Sequence, residues 1–155
     1  VRRILVAIPL LAAAGLVAAQ EADRRVTKAL DRARIAHEVD DQGDVRVSFL
    51  TGEGRSQMVL VRSATSAFGT LDTRELVSAA YRSPTMALPA EVANRLLELS
   101  ARARLGGWTR QGPMALLVTR IPAEADPKEL ADAIEYTARA ADAAERELNG
   151  GKDEY

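Results

Sequence analysis

Apolar residues recur along the chain with two different periods, and each change of period marks a new element. Ala22, Val26, Ala29, Leu30 and Ala33 are spaced three or four apart with charged residues between them, which predicts a helix from Glu21 to about Ala36. From Val45 the period drops to two. Val45, Val47 and Phe49 share one side of a strand whose other side is polar. Gln57 to Val61 is apolar on both sides and predicts a covered central strand. Ser63 to Asp72 reads as a looser connection. Arg74 to Tyr81 reads as another strand, although a short helix also fits it.

Helical spacing returns after Pro89. Val92, Leu96, Leu99 and Ala103 form one stripe, and Gly106-Gly107 stops the helix near Leu105. Trp108 opens a short strand, Gln111-Gly112-Pro113 turns, and Met114 to Thr119 forms the partner strand. The final helix has the strongest local signals. Asp126 is placed to cap it, Pro127 occupies its first position and Glu129 completes a capping box. Leu130, Ala133, Ile134, Thr137, Ala141 and Leu148 follow at helical spacing, and Asn149-Gly150-Gly151 ends the run. The order is α-β-β-β-β-α-β-β-α. Strands joined by tight turns imply an antiparallel sheet, and helices on one face of it give a two-layer α+β sandwich.

The first nineteen residues follow neither period. Arg2 and Arg3 precede an apolar run from Ile4 to Ala19, and Val17 and Ala19 stand at −3 and −1 of a signal-peptidase site. At about 1.5 Å per residue this run falls short of the roughly 30 Å bilayer core. The expectation is a cleaved signal peptide over 1–19, with an uncleaved anchor and a buried helix as alternatives. One domain over 20–150 and a flexible tail over 151–155 follow. The mature chain is then periplasmic or secreted and carries no membrane segment.

Charge and composition exclude several function classes. Lys and Arg total 21 against 22 Asp and Glu, so the net charge is −1, and cleavage at Ala19 makes it more acidic. No dense basic patch is visible, which argues against nucleic acid as a partner. The chain has no cysteine, so disulfides, thiol catalysis and Cys-based metal sites are excluded.

Few residues offer chemistry. His37 is the sole histidine, and any Ser-His-Asp or histidine metal site would have to use it. A structural role is the simpler reading, with a small hydrolase or ligand-binding accessory built on His37 and the nearby Glu38 and Asp40 as the alternative. Gly52-Glu53-Gly54-Arg55-Ser56 has glycines like a phosphate loop but lacks the Gly-Lys-Ser/Thr ending, so it reads as a hairpin turn. Asp40, Asp41 and Asp44 could surround calcium. However, Gln42 breaks the EF-hand spacing and no Glu closes a twelve-residue loop, so these residues too read as a turn. No catalytic, cofactor or metal residue is assigned, and no cofactor is expected. Trp108, Tyr81 and Arg102 are the candidate partner-binding residues. Trp108 reads first as core or sheet packing and Arg102 as part of a solvated helix face, with an interface anchor as the alternative.

Three segments carry a family resemblance. They are His37-Glu38-Val39-Asp40-Asp41-Gln42-Gly43-Asp44-Val45, the Asn94-containing helix ending in Gly106-Gly107-Trp108, and the strand Ala115 to Ile121 leading into the last helix. In these the chain resembles the YbjN family of bacterial sensory transduction regulators, whose fold is similar to type III secretion chaperones. The resemblance implies a non-enzymatic domain, regulatory or chaperone-like, that binds a protein partner or forms a homodimer.

Overall fold

A computed structural model describes residues 20–155. The proposed signal peptide over 1–19 lies outside the described residues. The elements are α1 (Arg24–Ala33), β1 (Glu38–Val39), β2 (Val45–Gly52), β3 (Arg55–Phe68), β4 (Leu71–Arg82), α2 (Ala90–Arg102), β5 (Gly107–Gln111), β6 (Met114–Pro122) and α3 (Pro127–Leu148). The order matches the expected α-β-β-β-β-α-β-β-α. All pairings are antiparallel, in one six-stranded sheet ordered β1-β2-β3-β4-β6-β5.

The alternation of β2 and β3 selects the buried face. Val45 pairs with Val61 and Val47 with Val59, and all four are buried. They pack with Val26 and Leu30 of α1, Leu76 of β4, Ile121 of β6, and Leu130 and Ile134 of α3 in the main core. A second cluster joins Val92 and Leu96 of α2 to Ala115 of β6, with Tyr81, Leu88, Leu99, Trp108 and Leu148 packed around it. The two clusters lie on the same side of the sheet, so the helices form a single layer. On the other side Leu60 pairs with Val77 and Val77 with Val118. Gln57–Val61 is therefore central but covered on one face only, and Met58 remains exposed.

The helix ends differ from the sequence reading, for local reasons. Asp23 caps α1 by accepting from the Arg25 N–H, which starts the helix at Arg24. Arg34 enters the left-handed region at φ 58 and ends it. The capping box on α3 is present as expected, with Asp126 accepting from the Lys128 and Glu129 N–H groups. The middle helix stops at Arg102 rather than near Leu105. Ala103 is extended, the Arg104 N–H donates to the Tyr136 hydroxyl, and the Trp108 N–H donates to Ser100 Oγ. Gly106 has φ +72, and a Cβ there would fall on the Val118 carbonyl, so only glycine brings the chain this close to β6.

The segment Ser63 to Asp72, expected as a loose connection, belongs to strands. β3 continues to Phe68 and β4 begins at Leu71, with Thr65 paired to Arg74 and Phe68 to Leu71. β2 pairs with β3 only as far as Val61, and β6 pairs with β4 only as far as Thr73, so the ribbon beyond them projects past its neighbours. Its polar Ser, Thr and Asp residues suggested a loop. The two strands need only each other, and Gly69 at φ +59 closes the turn.

Candidate functional site

Several clefts open on the described surface. A polar one of about 570 Å³ is lined by Asp41, Asp44, Arg62, Ser63, Thr73 and Glu75, among others. A shallow concavity of about 740 Å³ covers the helix-free face around Val77 and Val118, rimmed by Arg62, Glu75 and Arg120. Two others flank Trp108. One, of about 390 Å³, is lined chiefly by Leu88, Ala93, Leu96, Leu97 and Trp108, with Arg110 at its edge. The second, of about 220 Å³, is lined by Leu99, Arg102, Trp108, Leu117, Tyr136 and Glu147, among others.

The groove between α2 and β5 follows from the sequence of α2. Val92 and Leu96 face inward and are buried, while Leu97 falls one step off that stripe and is 66% exposed. Met86 is 71% exposed in the segment leading into the helix. Arg110 donates to the Met86 and Gly112 carbonyls, which ties this segment to the β5–β6 hairpin. Trp108 pairs with Leu117 in the sheet and forms the floor between the two clefts. The result is an apolar trough with a leucine standing at its lip, a form that accepts another apolar side chain rather than a charged substrate.

Of the three candidate partner-binding residues, one lines the groove and another the neighbouring cleft. Trp108 walls both clefts and Arg102 lines the smaller one. Tyr81 lies beneath α2, packed against the Val92–Leu96–Ala115 cluster, and supports the groove from below. His37 is half-buried, with Nδ1 3.0 Å from the Ile35 carbonyl, and is not among the residues lining these clefts.

The turn residues are occupied with structural bonds. Asp40 Oδ1 accepts from the Gln42 and Asp44 N–H groups, and its Oδ2 is 3.3 Å from Arg46. These bonds hold its carboxyl below the ordinary range against the opposing effect of desolvation. Asp44 binds Arg62 at 2.6 Å and the Ser63 N–H at 2.8 Å. In the Gly52–Ser56 turn, Glu53 and Gly54 take φ of 55 and 78, and Arg55 turns inward.

Arg55 organises a buried ionic cluster that escaped the sequence reading. Its Nε is 2.5 Å from Asp142 and its second amino group 3.1 Å from Glu145, which is fully buried. It also donates to the Gly151 carbonyl, and Asp153 lies 3.4 Å away. Burial pushes the Glu145 carboxyl up, against the N–H of Glu154 and the charge of Arg55. The Asp142 hydrogen bond raises Arg55. Residues 151–155, expected as a flexible tail, are thus tied down: Glu154 N–H donates to Glu145 and Met58 N–H to the Tyr155 carbonyl. Asp142, Glu145 and Asp153 bring three carboxylate oxygens within 4.8 Å of one another, and the Arg55 guanidinium supplies their counter-charge.

Comparison with protein-family models, curated proteins and solved structures yields no match to this chain.

Proposed function

We infer that the chain is a non-enzymatic protein-binding domain that holds an apolar segment of a partner in the groove between α2 and β5. The observation that carries this reading is the groove itself, in which exposed Leu97 stands beside half-buried Leu88 and Trp108 over a base formed by buried Leu96. A monomeric protein rarely leaves such a patch bare without using it. The position of His37, outside these clefts and beside a backbone carbonyl, favours binding over hydrolysis. The reading accords with what the resemblance to the YbjN family implies. An exported domain of this kind would act in the periplasm or outside the cell, as a regulator or chaperone-like carrier.

Selection of peptides from a displayed library against the purified protein tests the reading. The expected ligands carry large apolar residues and lose affinity for a Leu97→Asp variant. Ligands that bind Leu97→Asp as well as they bind the parent would place binding elsewhere.

A further inference from the structure

The β3–β4 ribbon ends in two large apolar side chains that nothing among the described residues covers. Phe68 is 86% exposed and Leu71 is 65% exposed, and they pair across the strands on either side of the Gly69-Thr70 turn. Every residue from Ala64 to Leu71 is exposed. A soluble chain gains nothing from a bare Phe–Leu pair at the end of a projecting arm, unless the arm enters something.

The molecule also has an apolar trough of suitable chemistry, in the groove beside α2. The two features cannot meet within one chain. Trp108 is level with Leu117, and Leu117 with Ser78. Ser78 and Leu71 are seven positions apart on β4, which at about 3.3 Å per residue separates arm tip and groove by roughly 20 Å along the strand. The arm extends beyond one end of the sheet, and the groove lies toward the other.

We propose that the arm tip of one copy, Phe68 and Leu71, occupies the α2–β5 groove of a second copy. This rests on the groove reading above and names its occupant. Two chains placed antiparallel about a twofold axis put each arm at the other's groove, so one arrangement satisfies both features twice and leaves no free end. Leu97 at the groove lip contacts the incoming Phe68, and Arg110 stays at the polar rim. The polar residues of the ribbon keep the arm soluble before it docks.

Sedimentation of complementary variants tests this. Phe68→Ser with Leu71→Ser disables the arm, and because both side chains are exposed the fold is retained. Leu97→Asp disables the groove. The parent protein is expected to form dimers with rising concentration, and each variant alone to dimerise about tenfold or more weakly. An equimolar mixture of the two is expected to dimerise more tightly than either variant alone but more weakly than the parent, because the heterodimer keeps one sound arm in one sound groove. A parent that stays monomeric, an arm variant that dimerises like the parent, a mixture that dimerises no more tightly than either variant alone, or open-ended polymers would overturn the proposal. If the arm variant is unaffected but Leu97→Asp still loses its selected peptides, the groove reading stands without the arm. If Leu97→Asp keeps those peptides, the groove reading itself fails.

Discussion

Arg55 and Asp142 meet at 2.5 Å in the buried interior, 87 residues apart in the chain, and tie the start of β3 to the last turns of α3. Glu145 and the Gly151 carbonyl take the other donors of the same guanidinium. Removing only the arginine leaves buried Glu145 without a counter-charge and Asp142 with Arg146 alone, at 3.4 Å. Arg55→Met is therefore expected to lower the urea midpoint far more than Arg139→Met, whose ion pair with Glu135 is exposed. Adding Asp142→Leu and Glu145→Leu to Arg55→Met is expected to recover much of the loss. An Arg55→Met midpoint equal to that of Arg139→Met would contradict this account of the cluster.

Asp23 holds the amino-terminal end of α1 to the sheet. It accepts from Arg25 and, at 2.6 Å, from the buried Arg74, whose other amino group donates to the Arg62 and Ser63 carbonyls. These bonds, first that from Arg25, hold its carboxyl well below the ordinary carboxylate range, more than offsetting desolvation. A carboxylate whose folded pKa is depressed stabilises the fold above its unfolded pKa and loses that contribution as pH falls toward the folded value. Asp23→Asn is expected to be clearly less stable than the parent at about pH 7, and the difference should shrink steadily below about pH 4. Denaturation midpoints of the two proteins across this range check the sign. A difference that grows on acidification would contradict it.

The Asp40–Asp44 turn is structural, and Gly43 is its constrained position. Its φ is +79, and a Cβ there would lie 2.5 Å from the Gln20 carbonyl oxygen. Gly43→Val is expected to cost about 1–3 kcal/mol, because a β-branched residue tolerates this backbone poorly. Since Asp40 and Asp44 spend their oxygens on backbone N–H groups and on arginines, calcium should leave the melting temperature unchanged. A calcium-dependent rise that Asp44→Ala abolishes would show a metal site instead.

Most of the architecture was legible because period and turn chemistry agree. Val45-Val47-Phe49 and the Asp126 capping box each specify their element locally. The β3–β4 ribbon was not legible. Ser63, Thr65, Ser66 and Thr70 look like a loop, yet a two-stranded ribbon exposed on both sides requires no apolar alternation. The Arg55 cluster was hidden for a related reason. Asp142 and Glu145 fall on the same helical stripe as Ala138, Ala141 and Leu148, and Arg55 continues the inward alternation of Gln57 and Val59. Charges at core-facing positions on both elements were the available signal, but their pairing depends on a contact across the whole domain. In the groove, Trp108 was identifiable by type. Leu97 was not, since one exposed leucine beside an apolar stripe is common on helices.

Trp108 is the sole tryptophan and forms the groove floor, so its emission reports occupancy of the site directly. Titration of the purified protein with a display-selected apolar peptide, followed by Trp108 fluorescence, tests the central claim. The account predicts a saturable blue shift that matches binding measured independently, and at least about tenfold weaker binding to Leu97→Asp. Binding with an unchanged Trp108 spectrum and equal affinity for Leu97→Asp would contradict it.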